Sequence, residues 1–443
     1  GFQSIVPHEK ELDSYFIFSR SKELKKYGET VGAGSTFVEV SGKQMADMKL
    51  IERIGYLKKM IDVAGTPDIK VITGIRRSGK SKLLEAFIEN RKGLSPECNI
   101  IHVNFNLTEF EGLMEYHKLY DFVNSRYIQG QENVVCIDEI QMCSGFEKAI
   151  NSLHECGKYD IYITGSNAFL LSSDLATLFT GRAYEIEIYP FSFKEFCAYY
   201  TPSDIYEAFD RYSHEGGMPG SYLYKSSEDK FKYIRTVFDT LIVRDIKQKY
   251  KIRNVQLLYS VCDFLLDNAS NITSVRNIAD SLIAKKIKTN DKTVGKYVDY
   301  LCNAFAFYKV RKYDIRGKKY LASQDKYYMA DHAFKYSKLG NRNLDYGRIY
   351  ENIVAIELMR RGYELYTGFL YKKEIDFVAL KQNEKLYIQV SDNISNTDTF
   401  SREVGPLLKI ADAYPKIVLA RTRHDSYQYE GILIIDIADW LLD

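Results

Sequence analysis

The sequence predicts a multidomain α/β protein whose first large domain is a doubly wound, mostly parallel sheet. Five short apolar runs, Ile69–Thr73, Asn99–Phe105, Asn133–Asp138, Asp160–Thr164 and Tyr184–Tyr189, alternate with stretches of helical periodicity, the pattern of strands joined by crossover helices. The first run leads directly into Gly74-x-x-x-x-Gly79-Lys80-Ser81, and a helical pattern follows with Leu83, Leu84, Phe87 and Ile88 on one face. At 443 residues the chain exceeds what one core usually organises, so roughly two to four domains are expected.

The Gly74–Ser81 stretch has the residues a phosphate-binding loop needs, in the order it needs them. Glycines let the backbone wrap closely round a polyphosphate with successive N–H groups turned inward. Lys80 brings a compact positive charge to the β- and γ-phosphates, and the Ser81 hydroxyl is a ligand for Mg²⁺. The helix that starts here adds the positive end of its dipole. Gly74, Ile75, Arg76, Arg77, Ser78, Gly79, Lys80, Ser81 and Lys82 are therefore the candidate contacts for ATP with Mg²⁺.

The third run ends in Asp138 and Glu139. At a strand end, Asp138 can complete the Mg²⁺ shell opposite Ser81, and Glu139 can act as general base towards water. The fourth run closes on Thr164, Ser166 and Asn167. These side chains either sense the γ-phosphate or form a turn and helix cap, since Ser and Asn cap well. A helical stretch with Phe169, Leu170, Leu175 and Leu178 then stops at Gly181, and Arg182 follows. Arg182 reads either as a phosphate-directed arginine, acting in cis or from a neighbouring copy, or as half of a surface ion pair.

Composition narrows the remaining possibilities. A formal net charge of +2 gives no global field for nucleic acid, so any basic surface must be local. Seven cysteines without paired or metal-type spacing point to reduced thiols in a cytoplasm. The longest apolar run, Gly431 to Leu442, is broken by Asp436 and Asp439, so no membrane span is expected. Residues 1–44 begin with Gly1 and contain Gly32-Ala33-Gly34-Ser35. They read as an added leader or a separate small appendage, with a native subdomain as the alternative. An amphipathic helix, Leu50 to Ile61, follows Met45 and Met48.

The stretches GIRRSGKSKLL, VVCIDEIQ, ITGSNAFLLSSDLATLFTGR and YPFSFKEF together resemble the prokaryotic AAA-type ATPases that carry a C-terminal domain of unknown function. GGMPGSYL, KTVGKYVDYL, DKYYMAD and GRIYENIVAIEL…EIDFVAL…YIQVS extend the likeness over about residues 48–443. The resemblance implies a winged helix in the middle and a last segment similar to the restriction-endonuclease fold. Division follows as leader 1–44, P-loop ATPase domain 45–198, helical lid or linker 199–253, winged-helix domain 254–339 and nuclease-like α/β domain 340–443.

The residues support the later assignments on their own terms. Helical stretches from Val255 to Leu266, after Ser274 and from Asn290 precede two β-like runs, Phe307–Lys312 and Lys319–Gln324, a helix-turn-helix with a hairpin. Lys292 and Lys296 lie off the apolar face of the third helix, and residues 285–319 hold eleven basic residues against three acids. That local excess favours duplex DNA as a partner. The alternative is a solvated basic face on a domain used only for packing within the chain; a protein partner or self-association also stays open. In the last segment, a helix around Glu351 precedes strands at Tyr363–Phe369, Glu374–Leu380 and Lys385–Val390. Asp376 stands where a nuclease of the resembled fold needs its aspartate, but Gln389 and Ser391 replace the second acid and the lysine. The expectation is an inactive nuclease-like tail in which Glu351, Glu374 and Asp376 are structural, on an Mg²⁺-dependent ATPase whose nucleotide state switches its domains. The runners-up are an ATP-gated DNA nuclease and a nucleotide-dependent protein-binding scaffold.

Overall fold

A computed structural model describes residues 51, 53–165, 178–179, 181–317, 319–340, 345–371 and 373–443. The leader 1–44, and with it the choice between an added and a native segment, lies outside the described residues, as do Ser166 and Asn167.

In chain order the first domain runs α1 (Ile54–Asp62), β1 (Ile69–Thr73), α2 (Lys80–Leu94), β2 (Asn99–Asn104), α3 (Tyr116–Asn124), β3 (Asn133–Asp138), α4 (Phe146–Glu155), β4 (Asp160–Thr164) and β5 (Ala183–Glu187). The five strands form one parallel sheet in the order β2-β3-β4-β1-β5. Every residue of β1, β3 and β4 is buried, as expected of strands covered on both faces. One face packs Val71, Val135 and Ile163 against α3 and α4, while the other packs Ile72, Cys136 and Tyr162 against α1 and α2. Helix α1 starts four residues later than its sequence pattern suggests, at Ile54.

Helices α5 (Phe193–Tyr200), α6 (Ile205–Glu215) and α7 (Ser227–Thr240) follow, and α7 runs on into a π-helical turn, Leu241–Ile246. Three helices come next, α8 (Val255–Asp267), α9 (Val275–Ala284) and α10 (Asp291–Asn303). Each is started by a side chain that accepts a backbone N–H: Asn254 from Leu257, Ser274 from Asn277 and Asn290 from Thr293. Such caps satisfy donors that the first helical turn leaves free. A hairpin of β6 (Phe307–Asp314) and β7 (Lys319–Met329) completes the segment.

The hairpin does not stand alone. After α11 (Ala333–Leu339) and α12 (Tyr346–Arg360), the strands β8 (Glu364–Leu370), β9 (Lys373–Lys381), β10 (Glu384–Ser391), β11 (Lys416–Ala420), β12 (Tyr427–Tyr429) and β13 (Ile432–Asp436) follow, with α13 (Thr397–Leu408) and α14 (Ile437–Leu442). All join the hairpin in one eight-stranded mixed sheet, ordered β12-β13-β11-β10-β9-β8-β6-β7. Strand β6 pairs in parallel with β8, Arg311 opposite Tyr366 and Asp314 opposite Phe369. Residues 50–443 form one compact unit.

One ion pair fastens the first sheet from inside. Lys70, fully buried on β1, donates to Asp160 Oδ1 at the start of β4 at 2.6 Å, and Asp160 Oδ2 accepts from the Gly65 backbone. Asp160→Ala leaves a buried ammonium without its counter-charge and is expected to cost about 3–5 kcal/mol of stability. The paired change Lys70→Met with Asp160→Leu, which removes both charges, should cost far less. Denaturant midpoints of the two variants check the order.

Candidate nucleotide-binding site

Strand β1 ends at Thr73 and the chain turns through 74–79 into α2. The turn is possible only without a side chain at Gly74: φ there is +121°, and a Cβ would lie 2.0 Å from the Ile188 carbonyl oxygen just beyond β5. Gly79, at φ +101°, makes the second bend. Lys80 is the first residue of α2, and its ammonium donates to the Gly74 and Ile75 carbonyls at 2.8 and 3.0 Å. Burial pulls its pKa down to about 8, against the opposing pull of Glu139, Asp138 and Asp245. The buried Ser78 hydroxyl has no hydrogen-bond partner.

A residue not evident from sequence braces the loop from outside. Arg53 is buried, donates to the Ser78 carbonyl at 3.1 Å and to the Tyr189 carbonyl at 2.9 Å, and forms a two-nitrogen pair with Glu195 at 2.7 and 3.0 Å. Glu195 is itself fixed by a reciprocal capping box with Ser192 at the start of α5. The YPFSFKEF stretch thus anchors the arginine that holds the loop. The only sequence signal for Arg53 is a basic residue at the start of an amphipathic helix, which is usually solvent-facing.

The acids arrive at the same edge of the sheet. Asp138 ends β3 and is buried, and Thr164 ends β4, which lies between β1 and β3. The Thr164 hydroxyl donates to Asp138 Oδ1 and accepts the Glu139 N–H at 3.3 Å, so it orients both acids. Asp138 Oδ2 remains buried without a partner. Glu139 sits at φ +55°, a left-handed backbone that few side-chain-bearing residues adopt and that often marks functional positions. Gln141 donates to its carboxylate.

Arg182 is not brought to this site. Its carbonyl accepts the Ile69 N–H at 2.8 Å, which puts it beside the first residue of β1, roughly 16 Å of strand from Gly74. Its guanidinium instead pairs with Glu155 on the surface. A phosphate contact in cis is therefore excluded by the sheet's own length.

Elsewhere, Lys292 and Lys296 on α10 are exposed, with Lys285, Lys286 and Lys288 exposed just before them. Glu351, Glu374 and Asp376 converge on a lysine that sequence reading passed over. Lys326 of β7 is buried, with its ammonium 2.6 Å from Glu351, 2.6 Å from Glu374 and 3.6 Å from Asp376. Burial opposes its charge, but Glu351 and then Asp376 and Glu374 outweigh it and raise the pKa. Burial, and then Glu351, hold the Asp376 carboxyl well above the usual range. Gln389 bonds Glu403 at 2.8 Å and accepts the Asp376 N–H, while Ser391 donates to the Asn393 carbonyl. No group of three or more His, Cys, Asp or Glu among the described residues could hold a metal.

A strand–loop–helix cradle with a lysine, facing an aspartate and a glutamate across an intervening strand, defines a P-loop nucleotide-binding module. Residues 66–197 match the family model described as "AAA domain", and residues 206–345 match a "Domain of unknown function (DUF8612)". The chain is 38% identical over 400 residues to an "Uncharacterized protein" of Haemophilus influenzae, covering 89% of this chain and 99% of that one. It belongs to the family of that protein, with an AAA-type P-loop ATPase domain at its N-terminal side. An uncharacterized protein of Methanocaldococcus jannaschii is 26% identical over 417 residues, covering 89% of this chain and 90% of its own length. Among solved structures, AMPPCP-bound DnaA from Aquifex aeolicus aligns over 55% of this chain and 85% of its own, at 17% identity and a TM-score of 0.29. That superposition is too loose to bear on function.

The lowered pKa of Lys80 has a sign that can be measured. As pH rises through about 8 the free site loses its ammonium, whereas bound phosphate would keep the proton on. Nucleotide affinity should therefore hold steady below that pH and weaken above it, by at most about tenfold per pH unit. Titration calorimetry from about pH 7 to about pH 9.5 checks this, since ordinary lysines titrate near 10.4.

Proposed function

We propose that the chain hydrolyses ATP at the 74–81 loop with Mg²⁺ and uses the nucleotide state to bias the arrangement of its helical and C-terminal segments. The observation that carries the reading is the buried, unpartnered Asp138 Oδ2 beside Glu139, held by Thr164 at the carboxyl edge of the sheet next to the loop. Two hard oxygens, Asp138 Oδ2 and the Ser81 hydroxyl, suit Mg²⁺ as donors. Held by these two oxygens, Mg²⁺ would neutralise charge on the β- and γ-phosphates. Lys80 exchanges the Gly74 and Ile75 carbonyls for phosphate oxygens, and the loop N–H groups take the rest. Glu139, turned off the strand end by its left-handed backbone, orients a water and accepts its proton once Gln141 releases the carboxylate. Thr164 is a positioning residue for both acids. Arg182, facing away from its own loop, can meet phosphate only in a neighbouring copy.

Among the described residues no helix is long and apolar enough to cross a membrane, and all seven cysteines are free. A cytoplasmic site of action belongs to the same reading. Intact Lys80, Asp138 and Glu139 weigh against a scaffold that never turns over.

The expected signature is a split between two variants. Glu139→Gln should bind ATP normally and turn it over at least about 10²-fold more slowly. Lys80→Ala should lose binding itself. A Glu139→Gln variant with near-normal phosphate release contradicts the assignment.

The exposed lysines of α10 and the loop before it support a second element, contact with duplex DNA through phosphates. Because β6 is paired on both sides within the eight-stranded sheet, the hairpin offers DNA at most its β7 edge and its tip. Cleavage is not expected, since Lys326 already satisfies the carboxylates that a nuclease would reserve for metal. Binding should fall with salt at a log–log slope of about −0.9 per phosphate neutralised, and replacing Lys292 and Lys296 by glutamate should flatten it with ATP binding intact. A low-salt titration without binding, or plasmid cleavage abolished by Asp376→Ala, contradicts this element.

A further inference from the structure

The π-helical turn Leu241–Ile246 puts one charged residue where the pattern calls for an apolar one. Leu241, Ile242 and Ile246 are buried in the core of the helical segment, Val243 and Arg244 face out, and Asp245 faces in at 3% exposure. A carboxylate in such a place is costly unless paired, and π-turns recur at functional positions. Its partner is Arg76 of the phosphate loop, whose Nη1 donates to Asp245 Oδ1 at 3.0 Å. Asp245 Oδ2 has no partner, so the pairing uses half of the carboxylate. Ile75, next to Arg76, is buried in the same core as Leu241, Ile242 and Ile246.

Within the nucleotide reading above, on which this step rests, we infer that Asp245 is a positioning residue that holds Arg76 away from the phosphates until a nucleotide arrives. Arg76 sits inside the loop that embraces the polyphosphate, and phosphate oxygens offer a guanidinium two parallel bonds where Asp245 Oδ1 offers one. A bound triphosphate therefore draws Arg76 off. Asp245 is then left buried with neither oxygen paired, and burial already holds its carboxyl above the usual range. That unfavourable state favours a shift of the turn. Asp245 thus opposes binding through Arg76, and through the core it shares with Ile75 it reports occupancy to the helical segment.

The test is Mg·ATP binding to the whole chain by calorimetry. Asp245→Asn keeps the shape and removes the charge, so it should tighten binding by roughly five- to tenfold. In an Arg76→Ala background the same change should do nothing, because the effect passes through Arg76. Equal tightening in both backgrounds would mean a general field effect, and weaker or unchanged binding would mean a structural residue; either overturns the inference. Amide exchange of residues 241–246 in the unaltered chain needs no variant to fold: Mg·ATP should change it, and an unchanged pattern overturns the coupling. If Mg·ATP does not bind the unaltered chain, the nucleotide reading itself fails and this inference with it.

Discussion

Everything at the candidate site depends on loop 74–79 being held open and in place before any ligand arrives. Three separate contacts do this. Gly74 passes so close to the Ile188 carbonyl that no side chain fits. Arg53 ties the Ser78 carbonyl to the end of β5 and to Glu195. Ile75 is set into the helical core from the other side. A loop so constrained has already lost the backbone freedom that phosphate binding would otherwise have to remove. Lys80 waits on carbonyls of the same loop, where neutral acceptors are easily exchanged for anionic ones.

The same logic of buried charge joins the later parts of the chain. Lys326 on the hairpin and the three carboxylates of the last segment form a cluster that neither part could bury alone. Asp331, just after β7, binds the Gly217 N–H at 2.7 Å and the Ala333 N–H at 2.8 Å, fastening the GGMPG stretch to the hairpin's end. The stretches that looked like isolated signatures in the sequence are therefore contacts to one another. The eight-stranded sheet that contains the hairpin joins the middle and last segments through backbone pairing.

Much of this was legible in advance, and the reason is local. Strands buried on both faces write themselves as apolar runs, so β1, β3 and β4 were placed to the residue. The starts of the helices at Val255, after Ser274 and at Asn290 are read from the periodicity that follows them, and the caps at Asn254 and Asn290 come from the fold. The phosphate loop and the Asp138–Glu139 pair announce themselves through residue types that chemistry requires at fixed spacing. Residues whose role is set by a partner far along the chain were not legible. Arg53 meets Glu195 and Lys326 meets Glu351 and Asp376 only in the fold. Arg182 had two readings in the sequence, a phosphate contact or half of a surface ion pair, and in the fold it pairs with Glu155 on the surface. Asp245 did leave a trace, a charged pair inside the apolar LIVRDI run, but its partner Arg76 lies more than a hundred residues earlier.

We propose above all that this constellation turns over ATP. The most direct test is phosphate release by the purified chain, measured with Mg²⁺, with excess chelator, and with duplex DNA added. Release should require Mg²⁺ and respond to DNA. No release above that of a Lys80→Ala control under any of these conditions would contradict the proposal.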